Sequence, residues 1–287
     1  MRVRLVSDLH IDVNKSEDFG FLKETQDLLI IAGDTAGNSL REWSFLKPLQ
    51  FPIVCIGGNH LGYDYKRNKL LDSILQLEND PRTDTKEHSI KILKSLNEIN
   101  PNIHYLENDY ISFENYTIFG GTMYSNFLLY GEQSKKVCKD TAEMWLNDFR
   151  CVYTYIPKEK LVRPVTTDDY ELWFNKFIKS LKKCLKNTTG DVIVVSHFCP
   201  SIKCIGGKYL KQKPTPTNPG FYLNAVYASN LEDFILNNPR IKYWFCGHSH
   251  DASDFYIGNC RIVMQPYGYT KEHGISPEKY FGCILDI

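Results

Sequence analysis

Eight side chains able to bind a metal or move a proton stand at the ends of five short apolar runs. The runs are VRLVSDLH (3–10), DLLIIAGD (27–34), PIVCIGGNH (52–60), DVIVVSH (191–197) and YWFCGHSH (243–250). They deliver Asp8 and His10, Asp34, Asn59 and His60, His197, and His248 and His250. Each motif alone is weak; the argument rests on their joint occurrence at run ends. Imidazole and carboxylate without thiolate suit Mn, Fe, Zn or Ni better than Mg or Ca, with Mn foremost for activity in vitro. The ligands are too many for a single closed site. Two metals with four ligands each need one shared carboxylate, and Asp34 fits that role. Two divalent ions roughly 3.5–4 Å apart can hold one hydroxide between them and clamp a phosphoryl group for in-line attack. His60, beside Asn59, is then left to protonate the leaving group.

These residues must be brought to one edge. The runs are continuously apolar rather than alternating, which predicts central strands covered on both faces. Functional groups of such sheets collect at the carboxyl ends of the strands. Helical patterns lie between them, starting near Asn38 and covering 85–98, 132–149, 167–186 and 229–237, with Thr167-Asp168-Asp169 as a cap. Two hairpins are expected over 110–122, turning at Glu114-Asn115, and over 253–266, turning at Gly258-Asn259. Residues 280–287 read as a closing strand. The alternation predicts an α/β layered sandwich. No linker divides the chain, so 1–287 reads as one domain, with 130–187 as a helical cap insertion. The loop 200–220 leaves directly from His197 and is a natural substrate-facing segment.

Bulk composition narrows the function. The chain has 287 residues, 43% hydrophobic and 24% charged, with Lys+Arg and Asp+Glu both 34. A formal charge of zero gives no basic stripe for long nucleic acid, whose phosphates need Lys and Arg, and no membrane-attracting surface. Nine scattered cysteines without a CxxC read as buried thiols in a reducing compartment. The sequence MRVRLVSDLH enters a strand directly, and no apolar run reaches membrane-span length. The expectation is a cytoplasmic protein.

Asp8-x-His10, Gly33-Asp34, Gly58-Asn59-His60, His197 and Gly247-His248-x-His250 resemble, in order, the five motifs of the calcineurin-like metallophosphoesterases. The resemblance implies a four-layer α/β/β/α sandwich with two mixed sheets. It assigns Asp8, His10, Asp34 and His250 to one metal, and Asp34, Asn59, His197 and His248 to the other. It makes His60 the general acid. VVSHFCPS (194–201), YASNLEDF (227–234), NDFR (147–150) and the segment from Gly247 to Tyr269 also resemble a little-characterised single-domain subgroup. Three departures stand out. Leu61 occupies the place of the usual acidic residue after Gly-Asn-His, leaving Asp12 and Asp64 as substitute partners for His60. The run GDTAGN (33–38) lacks the Asp-Arg-Gly of the protein Ser/Thr phosphatase branch. Tyr267 stands where the subgroup tends to have an arginine.

The expected activity is hydrolysis of a small phosphodiester, such as a cyclic or short nucleotide. A phosphomonoesterase, phosphoprotein phosphatase included, is the alternative within the same chemistry. A catalytically weak binding or scaffold protein is the alternative outside it, and the intact ligand set argues against that. Arg150 is a candidate phosphate contact. Phe221 and Tyr222, in the loop after His197, are candidates for stacking on a base.

Overall fold

The computed structural model describes residues 1–14, 19–24, 26–36, 43–63, 85–156, 158–159, 161–270 and 280–287. Two sheets dominate. The first has strand order β13-β1-β2-β3-β4, built from β1 (Arg2–Val6), β2 (Leu28–Ile31), β3 (Ile53–Ile56), β4 (Ile103–Leu106) and β13 (Cys283–Asp286). The second has the order β11-β12-β10-β9-β6-β5. Its strands are β5 (Asp109–Phe113), β6 (Tyr116–Gly121), β9 (Asp191–Ser196), β10 (Ile241–Cys246), β11 (Ser253–Ile257) and β12 (Cys260–Met264). Strands β1 to β4 are mutually parallel, as are β6, β9, β10 and β12. The edge strands β13, β5 and β11 run antiparallel to their neighbours. Both expected hairpins form at the expected turns.

The continuous apolar runs have a direct packing reason. Side chains alternate across a strand. Val3, Leu5, Ile193, Val195, Phe245 and Val263 therefore meet in a core between the two sheets. Val6, Leu29, Ile31, Ile53 and Cys55 face a second core outside the first sheet, with Trp43 and Leu93. Val192, Val194, Trp244 and Cys246 face a third core outside the second sheet. In β2 and β3 every position is buried, and every one is apolar or a thiol. The result is the α/β/β/α order.

The outer layers carry α1 (Thr85–Lys94), α2 (Lys135–Trp145) and α3 (Thr167–Asn187). Of the helix expected from Asn38, residues 38–42 lie outside those described; the described part, 43–49, holds only the 3-10 turn Ser44–Leu46. The stretch 130–187, expected as a helical cap, holds α2, the hairpin β7 (Tyr153–Ile156) with β8 (Leu161–Pro164), and α3. Helix α3 packs on β5 and β6 and forms the layer outside the second sheet. No helix of the described residues is long and apolar enough to cross a membrane.

Helix α3 begins in a capping box one residue before the expected cap. The Asp169 Oδ2 accepts from the Thr166 backbone N–H at 2.7 Å and from the Thr166 hydroxyl at 3.0 Å. Arg163 grips the same carboxylate at 2.6 and 3.1 Å. Burial would raise the Asp169 carboxyl, but Arg163 and the cap hold it below its ordinary value. Asp169→Ala is expected to cost about 1–2 kcal/mol in urea unfolding at neutral pH. Because the folded-state value is depressed, this difference is present above the unfolded carboxyl range and disappears as pH falls through the folded one.

Candidate metal centre

The parallel strands of both sheets end on the same side, and there the sheets are stitched together. Ser7, just past β1, accepts from the Tyr267 N–H at 2.9 Å and donates its own N–H to Gln265 O at 3.2 Å. The Gly268 N–H reaches Asp8 O at 2.9 Å. This brings the ends of β1, β2 and β3 against those of β9, β10 and β12.

At that seam the backbone leaves ordinary conformations. Asp8, His10, Asp34, His248 and His250 have φ of 55°, 46°, 46°, 74° and 55°. Left-handed geometry costs a non-glycine residue about 1–2 kcal/mol, and such outliers persist where surrounding structure enforces them. The N–H groups explain how these turns are held. Asp8 N–H donates to Gly33 O at 3.0 Å, His10 N–H to Asp34 O at 2.9 Å, and His248 N–H to Asp8 Oδ1 at 3.0 Å. Each hairpin-tight reversal aims its side chain across the seam. Gly33 has φ +90°, and a Cβ there would stand 2.5 Å from His197 Nδ1. A Cβ on Gly247 would stand 2.5 Å from Asp8 Oδ2, which is why glycine precedes the His-Ser-His.

The seven expected ligands gather in two groups. Ligand atoms of Asp8, His10 and His250 lie within 4.8 Å of one another, as do those of Asp34, His197 and His248. Asp34 Oδ2 stands between the groups, 3.2 Å from His197 Nε2 and 3.9 Å from His10 Nε2. Asn59 Oδ1 is 3.1 Å from His197 Nε2. His10 Nε2 and His250 Nε2 face each other at 3.1 Å. Orientation is fixed from behind, as metal-ligating histidines require. The His197 Nδ1 is bonded to Ala32 O at 3.0 Å, turning Nε2 inward. The His248 ring is held between Phe198 and Tyr227, with centroids 4.1 and 4.7 Å away.

A buried network below Asn59 settles its amide. Asn59 Nδ2 donates to Asp148 Oδ1 at 3.1 Å, so its Oδ1 is left for the seam. Asp148 also accepts from the Tyr63 and Tyr170 hydroxyls. Burial pushes the Asp148 carboxyl up, against those three donors. The NDFR turn thus packs under the site through Asp148.

The buried groups of the cluster shift one another strongly. Burial would raise Asp8, yet the His250 hydrogen bond and the His197 charge hold it well below the carboxylate range. Asp34 is likewise held down, against its burial, by His197 and His60. Burial and the neighbouring His60 pull His10 down to about 4. Burial and His197 push His248 far below its ordinary value. His197 rises to about 9, burial notwithstanding, on the charge and hydrogen bond of Asp34. The His248 Nε2 is buried with no hydrogen-bond partner. Ionised carboxylates, the lowered His10 and His248 imidazoles and the unpartnered His248 Nε2 form a donor set that fits two divalent transition ions, to which His197 would give up its proton.

His60 is placed differently. Its Nδ1 lies 3.3 Å from Asp12 Oδ2 and its Nε2 2.9 Å from Tyr269 Oη. Asp12 therefore supplies the carboxylate that Leu61 does not, and Leu61 is buried in the core outside the first sheet. Asp64 is outside the described residues. Burial would lower His60, but Asp34 and Asp12 raise it. Its backbone N–H donates to Asp34 Oδ1 at 3.0 Å.

The three substrate candidates are not brought to the site. Arg150 is exposed and donates to Met144 O at 2.5 Å. Phe221 and Tyr222 pack on Tyr130, with centroids 5.3 and 6.4 Å away. Their segment Gly220–Leu223 is a 3-10 turn. Positions three apart share a face there, so Gly220 and Leu223 border the cavity while 221 and 222 point away. The cavity itself measures about 780 Å³. Beyond the metal groups and His60 it is walled by Tyr63, Trp145, Tyr209, Tyr227 and Tyr269, with Lys208 from the 200–220 loop. Sequence reading named Asp12 as one of two substitute partners for His60 and named the 200–220 loop, but did not single out Lys208 or Tyr209 within it. Nothing in the spacing signals Tyr63 or Tyr269, which reach the site only through folding.

A family model described as calcineurin-like phosphoesterase matches residues 1–252. The chain belongs to the calcineurin-like phosphoesterase family. A curated relative from Acanthamoeba polyphaga mimivirus, uncharacterized protein L509, is 26% identical over 297 residues, 98% of this chain and 96% of its own. Among solved structures, the phosphopantetheinyl hydrolase PptH of Mycobacterium tuberculosis superposes with a TM-score of 0.62 at 15% identity. The match covers 96% of this chain and 93% of that one. Identity that low shows a shared fold.

Metal analysis of the purified phosphoesterase is expected to find about two transition ions per chain bound by nitrogen and oxygen. His250→Ala, which touches one group, should lose about half; Asp34→Ala, which touches both, should lose more. Chelation should lower the melting temperature, since a site at a hundredfold its Kd adds about 2.7 kcal/mol.

Proposed function

We propose that this chain is a dinuclear-metal-dependent phosphodiesterase acting on a small phosphodiester of the cyclic or short nucleotide class. The observation that carries the reading is the cavity: its floor joins both ligand groups to His60, and its walls mix tyrosines and Trp145 with uncharged polar side chains. Lys208 is the only lysine or arginine among the described lining residues, while Asp34, Asp148 and Asp251 also border the space. A diester carries one negative charge, whereas a monoester approaches two at neutral pH. The weakly cationic wall therefore favours the diester, and the tyrosines and Trp145 offer flat apolar surface to a base.

Asp8, His10, Asp34 and His250 would hold one ion, and Asp34, Asn59, His197 and His248 the other. Bound there, the ions supply Lewis acidity toward a phosphoryl oxygen and lower the pKa of a water that attacks it. The chain's own residues do the rest. Asp34 ties the two groups into one unit. Asp148 keeps the Asn59 amide from flipping. Asp34 and Asp12 favour the protonated form of His60, whose Nε2, beside Tyr269 Oη at the cavity, would pass a proton to the departing oxygen. Asp12 is a positioning residue acting through His60. The nine free cysteines fit a reducing, cytoplasmic setting.

Hydrolysis of bis-p-nitrophenyl phosphate against p-nitrophenyl phosphate in Mn²⁺, with Asp34→Ala as control, tests this. Diester preference lost in the variant is expected; monoester preference would move the protein to the phosphatases. Activity on neither substrate by the metal-loaded protein would favour a scaffold.

His60→Ala should keep its metals and lose roughly 10²–10³-fold on diesters with poor leaving groups, and least on p-nitrophenolate. Asp12→Asn should show the same leaving-group trend more weakly. Equal losses on all leaving groups would remove His60 from the acid role.

A further inference from the structure

Beside the Asp/His centre, on the outer face of the second sheet, three thiols and a thioether meet. Cys246 ends β10 and Met264 ends β12, and the two are register partners across that parallel pair. Cys199 lies two residues past His197, and Cys204 closes the helical turn Ile202–Cys204. All four are fully buried. The Cys199, Cys204 and Cys246 sulfurs lie within 4.8 Å of one another. Cys199 Sγ is 3.9 Å from Met264 Sδ. None of the four lines the catalytic cavity.

Filling this space needs only small apolar side chains, and a thiol packs like one. What three converging thiols add is a soft donor set. Thiolate–zinc bonds of about 2.3 Å place neighbouring sulfurs about 3.8–4.0 Å apart; the three thiols lie within 4.8 Å of one another and Cys199 Sγ is 3.9 Å from Met264 Sδ. Thiolate with thioether selects Cu(I) and Zn over oxygen-seeking cations. The Asp/His centre contains no sulfur, so the two sites differ in ligand chemistry.

We propose that Cys199, Cys204 and Cys246, with Met264 on the fourth side, form a second and separate metal site for a soft closed-shell cation of the Cu(I) or Zn(II) class. Binding releases the three thiol protons to solvent and forms three metal–sulfur bonds with no change of oxidation state. The site is structural: it is closed to the cavity and carries no open position toward it. It ties the segment leaving His197 to the strand that delivers His248, two residues away on either side. It is filled as the chain folds, because the folded site is closed to solvent.

The test uses the full chain, produced in cells supplied with zinc or with copper and purified without air. X-ray absorption at the metal edge is expected to show a sulfur shell at about 2.3 Å, beside the nitrogen and oxygen shell of the Asp/His metals. Protein refolded with Cd²⁺ should show a thiolate-to-cadmium charge-transfer band. Asp34→Ala should keep that band, and Cys204→Ser should lose it together with about one equivalent of metal. If Cys204→Ser does not fold, the wild-type absorption spectrum decides alone. A shell of nitrogen and oxygen only, no cadmium band, or a disulfide among the three cysteines by mass spectrometry would overturn the proposal. Either outcome leaves the phosphoesterase reading intact, because that reading uses none of the four sulfurs.

Discussion

Two carboxylates buried among imidazoles are the constraint on which the molecule is organised. Asp8 and Asp34 are almost wholly sequestered, and among the described residues their ionic partners are all histidines. Removing a carboxylate from water costs several kcal/mol even after relaxation. Imidazoles compensate only when protonated, and burial keeps His10 and His248 from taking a proton. His197, raised by Asp34, compensates in part, while His10 and His248 leave buried nitrogen lone pairs beside the carboxylates. Divalent cations resolve this directly, and the left-handed turns show how far the backbone is bent to assemble the set.

The sheets exist in a form suited to that purpose. Parallel strands end together, so one side of the sandwich receives every strand-end loop. The Ser7 and Tyr267 hydrogen bonds join the sheets at that side, placing Asp8 from one sheet against His248 from the other. A core between the sheets, made of alternate residues of β1, β2, β9 and β10, fixes their spacing. Position and rigidity at the seam thus come from apolar packing far from any ligand. Behind the ligands, Asp148, Ala32 and the rings around His248 determine which atom each one presents.

What sequence could reveal follows from what is local. Strand-end motifs are contiguous, so the two sheets and the convergence of the seven candidate ligands around Asp34 were legible in the sequence. The partner of His60 was legible only as a choice, because Leu61 removed the adjacent carboxylate and Asp12 comes from the short helix Ile11–Asn14 that follows β1. Tyr63, Asp148 and Tyr269 act through contacts across long sequence distances, to which no spacing rule applies. Phe221 and Tyr222 were chosen for lying in the right loop, but a 3-10 turn rotates them away from the cavity. Arg150 was chosen for its charge; the short helix at 148–151 turns Asp148 inward and leaves Arg150 outside. The sulfur cluster was hidden because its members lie on two strands and the segment that follows β9, without any Cys-x-x-Cys.

The measurement that tests the central claim most directly is anomalous diffraction from crystals of the wild-type protein grown with Mn²⁺. Two peaks roughly 3.5–4 Å apart are expected, with Asp34 between them, Asp8, His10 and His250 around one and Asn59, His197 and His248 around the other. A single peak, or none within this cluster at saturating metal, would contradict the account.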